Sequence, residues 1–113
     1  MSSNAQDPLA ASYGVDRVVA IARDSNRLFI LWELTAAGAG IAKDSLGGAA
    51  VQARLILRVA DGLGATRDIE IDEWLGQRTV TGLRSGGSYV VALGWFAADC
   101  FVPVAMSRPT ALP

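Results

Sequence analysis

The 113-residue chain has no histidine and one cysteine, Cys100. Without imidazole there is no general base that titrates near neutrality and no nitrogen ligand for zinc, and a lone thiol cannot close an internal disulfide. Ser-His-Asp and Cys-His catalysis are excluded, and so are zinc-finger folds. Charge of one sign is also lacking: ten Lys and Arg stand against eleven Asp and Glu, for a net charge of −1. Such a chain has no field to draw in phosphate backbones or acidic membrane surfaces, so nucleic acid is not an expected partner. No apolar run approaches the roughly 20 residues that a membrane-spanning helix needs. The opening MSSNAQDPLAAS has neither the basic nor the apolar region of a secretion signal, which makes the cytoplasm the expected compartment.

What the chain does have is apolar surface. Hydrophobic residues make up 51% of it and the mean hydropathy is +0.32, above the usual apolar share of about 45–50% that already counts glycine. Its length allows one domain with one core, and this content exceeds what one small core needs. Residues 1–12 are small and polar and read as a flexible lead-in, leaving 13–113 as the domain.

Turn signals divide that domain into short strands. VDRVVAIARD, residues 15–24, is a first strand, and LFILWEL, residues 28–34, a second. In the second, Leu28, Ile30, Trp32 and Leu34 share one face and Phe29 and Leu31 the other. Thr35 can cap a short helix that Gly47 and Gly48 end. Val51 to Ala60 alternates as a half-buried strand, with Ile56 among the polar residues of its outer face. Further short strands are expected over 67–72, 78–83, 89–96 and 101–107. Pro103, which lacks a backbone donor, places the last of these at an edge. Six or seven strands at this spacing predict a single antiparallel β-sandwich, mainly β, with one short helix after the second strand.

The segment LRSGGSYVVAL, residues 83–93, adds a specific device. Leu83 and Tyr89 flank a Ser-Gly-Gly bend, so Tyr89 can fold back and bond the backbone upstream as a tyrosine corner. With Trp32 on the second strand, this pattern resembles the fibronectin type III repeat, itself an immunoglobulin-like sandwich; the inserted helix is a departure from it. The order Tyr13-Gly14-Val15-Asp16, Arg23-Asp24, Phe29-Ile30-Leu31-Trp32-Glu33, Leu57-Arg58-Val59 followed by Asp61, Gly86-Gly87-Ser88-Tyr89 and Phe101-Val102-Pro103 resembles the bacterial domain of unknown function 4912. That resemblance implies a fold and no activity.

The only acidic cluster is Asp61, Asp68, Glu70, Asp72 and Glu73. Asp68, Glu70 and Asp72 lie opposite Ile69 and Ile71, as a solvated strand face requires, and neither catalysis nor metal binding is expected of them. No catalytic residue, metal or cofactor is expected, and the chain is not expected to be an enzyme. Trp32, Leu83 and Tyr89 are structural candidates. Phe29, Leu31, Ile56 and Phe96 are candidates for an interface, because the alternation leaves them outside the core unless the helix covers them. The expected function is a non-catalytic interaction or assembly module that binds a protein partner or a second copy of itself. The alternative is a small-ligand or carbohydrate-binding sandwich in which Trp74 stacks on a sugar and Asp72 or Glu73 bonds its hydroxyls.

Overall fold

The computed structural model describes residues 14–113; the expected lead-in and Tyr13 of the opening motif lie outside them. The elements run β1 (Arg17–Ala22), β2 (Leu28–Glu33), α1 (Ala36–Leu46), a 3-10 turn (Gly47–Gln52), β3 (Arg54–Asp61), β4 (Thr66–Glu70), β5 (Leu75–Val80), β6 (Ser88–Ala97), β7 (Cys100–Met106) and β8 (Thr110–Ala111). All pairings are antiparallel. β1, β2 and β5 form one sheet, and β4, β3, β6 and β7 form the other, with β8 extending it on β6.

Alternation decides which side chains enter the space between the sheets. From the first sheet come Leu28, Ile30 and Trp32. From the second come Leu55, Leu57 and Val59 of β3 and Tyr89, Val91, Leu93 and Trp95 of β6. Ile71, Val80, Leu83 and Leu112 close the core.

Two boundaries differ from the sequence reading. The alternation beginning at Val51 predicts a strand, yet residues 47–52 form the 3-10 turn and Val51 is 91% exposed. Apolar periodicity ran through a segment that continues the helix after Gly47, whose φ of 58° is the left-handed geometry that glycine supplies at a helix end. The strand expected over 78–83 runs instead from Leu75 to Val80, where it pairs with β2 along its whole length; within it Gly76 lies opposite Trp32, and a Cβ there would be 2.7 Å from the indole.

The helix packs on β7 and β6 and contributes Ala39 and Ala42 to the core. It therefore does not cover the outward residues of β2. Its N-terminus is built by Asp16, whose Oδ1 accepts from the Thr35 amide at 2.6 Å, while Thr35 Oγ1 accepts from the Gly38 amide at 3.0 Å. The Asp16 carboxylate occupies the space that a Cβ at Gly38 would need, so glycine at this helix position serves a close approach.

Candidate functional site

The tyrosine corner forms as the sequence implied. Tyr89 is buried, and its hydroxyl accepts from the Arg84 amide at 2.8 Å. Gly86 takes a φ of 75°, and Gly87 lies so close to the tyrosine ring that a side chain there would collide with it. Leu83 and Trp32 are both in the core.

The four interface candidates separate onto opposite sides of the sandwich. Phe29 and Leu31 lie on the outer face of the three-stranded sheet, and Ile56 and Phe96 on the outer face of the other sheet. They do not make one patch. Leu31 is only 7% exposed and Ile56 3%, so neither offers much free surface. Phe29 and Phe96 are half-buried. The Arg23 guanidinium lies 5.4 Å from the Phe29 ring centre, and Arg54 and Arg58 lie 5.6 and 5.9 Å from that of Phe96.

Sequence reasoning missed what completes the outer face of the three-stranded sheet. Val19 stands opposite Leu31 and Ile21 opposite Phe29, and they are 37% and 46% exposed; Leu75, on the other flank beside Glu33, is also exposed. The signal was present in β1, where Val19 and Ile21 alternate with Val18 and Ala20. The far corner of this face is polar but tied: Glu33 is buried, accepts from the Gly14 amide at 3.0 Å and has Arg17 Nε 3.6 Å away.

The outer face of the five-stranded sheet is knit by charge. Arg58 makes two bonds to the Asp68 carboxylate, at 2.8 and 3.0 Å, and stacks 4.4 Å from the centre of Phe101. The Arg58 hydrogen bond holds the Asp68 carboxyl below its ordinary range, and the same bond raises the guanidinium. Arg54 reaches Glu70 at 3.5 Å. The acidic residues of β4 thus face arginines of β3, and among the described residues no group of His, Cys, Asp or Glu is arranged to hold a metal ion.

The third candidate surface is the segment Asp72-Glu73-Trp74. Its backbone is pinned: Trp32 Nε1 donates to the Glu73 carbonyl at 2.8 Å and the Leu34 amide to the Trp74 carbonyl at 2.7 Å. Trp74 is 41% exposed and meets Trp95 edge-on, with ring centres 6.4 Å apart. Lys43 of the helix stacks 4.4 Å over Trp95. Asp72 and Glu73 are exposed beside the indole.

The family model described as "Domain of unknown function (DUF4912)" matches residues 13–113. No curated protein matches the chain. Among solved structures, a crystal structure of the FN1–FN3 domains of chicken CNTN1 superposes with a TM-score of 0.54 at 10% identity, over 87% of this chain and 30% of that one. The chain thus spans about a third of that fragment's length. A myokine structure superposes with a TM-score of 0.51 at 12% identity, over 89% of this chain and 96% of that one. At such identities the likeness shows the fold, a fibronectin type III sandwich, and nothing about activity.

Proposed function

The chain belongs to the DUF4912 family, and from this premise we propose that it is a non-catalytic interaction module, docking a protein surface, in the first instance a second copy of itself, on the outer face of its three-stranded sheet. The observation that carries the reading is the apolar strip of Val19, Ile21 and Phe29 on β1 and β2, with Leu75 exposed on β5 beside Glu33, while the helix packs on the other sheet. An apolar surface of this kind, rimmed by Arg17 and Arg23, is what a docking face presents. The residues that carry the family resemblance support the non-catalytic part. Asp16 and Glu33 end on backbone amides, Arg58 on Asp68, and Asp61 on the amides of Leu63 and Ala65. Each holds the fold together.

Sedimentation velocity over a concentration series tests this. The wild type should shift to a dimer, and Val19→Thr with Ile21→Ser, both at exposed positions, should stay monomeric with an unchanged unfolding midpoint. Completing the burial of Ile21 contributes about 1 kcal/mol. A wild-type chain that remains monomeric at hundreds of micromolar would sink the self-docking reading.

A specific observation also favours a second reading, a small-ligand or carbohydrate site at Trp74. The indole is presented by a backbone pinned at two consecutive carbonyls, so its exposed face is preorganised. Titration of soluble glycans should change tryptophan fluorescence in the wild type and not in Trp74→Phe; no change in either removes the reading.

A further inference from the structure

At the tyrosine-corner end of the sandwich, a cleft of about 240 Å³ opens between the β3–β4 hairpin and the loop from β5 to β6. Its lining includes Val59, Leu83 and Tyr89, and at its sides stand Asp61, Arg67 and Arg84. Independently of the sheet face, we propose that this cleft binds a carboxylate, presented by an acidic side chain of a partner or by a small organic acid.

Three features of the lining support this. Arg67 stands opposite Val59 in the β3–β4 register, so it leaves the edge strand on the same face as Val59, at an exposed position on the cleft's rim. Its guanidinium is fixed there by the carbonyls of Thr81 at 2.7 Å and Gly82 at 3.4 Å. A guanidinium carries five N–H donors, and these two carbonyls leave donors free for a further acceptor. Arg84 is the opposite case: its side chain is half exposed and its nearest acid, Asp61, is 4.0 Å away, so it can turn toward a ligand. Finally, Tyr89 uses its oxygen as the acceptor for the Arg84 amide, so its hydroxyl proton remains to donate.

The charge balance selects the ligand class. Asp61 is committed to its turn, where Oδ1 accepts from the amides of Leu63 at 2.8 Å and Ala65 at 3.0 Å. Two guanidinium groups against one carboxylate leave the cleft with an excess of one positive charge, which a monoanion neutralises and a dianion over-compensates. The planar fork of Arg84 matches a carboxylate with two parallel bonds. The cleft has room for a carboxyl group and a short stem, which suits a glutamate or aspartate side chain or an acid of similar size.

The test is an amide and arginine Nε–H nuclear magnetic resonance titration of the full chain with acetate, with N-acetyl-glutamate methylamide and with inorganic phosphate. Saturable shifts confined to residues 61–67 and 82–89 are expected with both carboxylates, and weaker ones with phosphate. A blocked glutamate that binds at least tenfold tighter than acetate identifies a protein side chain as the source, and equal affinities identify a free acid. Arg84→Gln, which keeps the backbone amide used by Tyr89, should weaken binding at least tenfold. Asp61→Asn keeps the Oδ1 acceptor for the turn and removes the opposing charge, so it should tighten binding several-fold, an effect that a purely structural Asp61 would not produce. Shifts that grow linearly without saturation, unchanged binding in Arg84→Gln, weaker binding in Asp61→Asn, or saturation by phosphate alone would each overturn the assignment.

Discussion

Replacing Gly38 with alanine should destabilise the protein even though it removes a glycine from a helix. In the absence of neighbours the exchange gains up to about 1 kcal/mol in helix propensity. Here the new methyl group falls inside the Asp16 carboxylate, which must leave and release its 2.6 Å bond to the Thr35 amide. A hydrogen bond to a charged group contributes about 1.5–3 kcal/mol, so the net loss for Gly38→Ala is roughly 0.5–2 kcal/mol. Asp16→Ala alone should cost about 1.5–3 kcal/mol for the same bond. With the carboxylate gone the methyl group has room, and adding Gly38→Ala to Asp16→Ala should recover up to about 1 kcal/mol. The two changes are therefore coupled by about 1.5–3 kcal/mol, and Gly38→Ala reverses sign between the two backgrounds. Urea unfolding of the four proteins, at constant m-value, measures the cycle. Additivity within about 0.5 kcal/mol, or stabilisation by Gly38→Ala in the wild type, would refute the account of the helix start.

Two further outcomes follow from the geometry. Tyr89→Phe keeps the ring and removes the acceptor of the Arg84 amide, so it should lower stability by about 1–2 kcal/mol; an unchanged urea midpoint would remove the corner's role. Asp68 is held below its ordinary value by Arg58, so its contribution is present above about pH 4 and is lost as the pH falls through the lower folded value. Asp68→Asn should thus unfold with a flatter acid limb below about pH 4, by a small margin because the carboxylate is 38% exposed, and pH profiles parallel to the wild type's would contradict this.

The fold was legible where one residue had one possible role. Trp32, Leu83 and Tyr89 announce the sandwich because the spacing of a leucine, a glycine bend and a tyrosine leaves few alternatives, and the inward faces of β2, β3 and β6 follow from strict alternation. The sheet each strand joins was less accessible. Phe29, Leu31, Ile56 and Phe96 all read as outward residues, but periodicity cannot say that β2 and β3 lie in different sheets with outer faces pointing apart. The role of Asp16 was hidden for a similar reason: a lone aspartate ahead of a strand carries no local sign that it will cap a helix nineteen residues on. The Arg67–Arg84 cleft was invisible because its walls come from segments distant in sequence, the β3–β4 hairpin and the β5–β6 loop, which meet only once β3 and β6 have paired.

The placement of the helix bears on how copies of this chain can meet. A sandwich has exposed strand edges, and an open edge is a template on which another chain can continue the sheet without limit. Here β7 has α1 packed beside it and carries Pro103 without a donor, the Ala20 carbonyl of β1 accepts from Thr110 Oγ1, and β4 is a five-residue edge bearing Arg67, Asp68 and Glu70. Sheet continuation is thereby discouraged on three of four sides, while the Val19–Ile21 strip stays open. Contact through that strip pairs a surface with its own copy and closes after one step, whereas edge contact propagates. The geometry therefore favours small discrete assemblies over fibres, and a concentrated solution of the protein should remain clear and unreactive toward amyloid dyes.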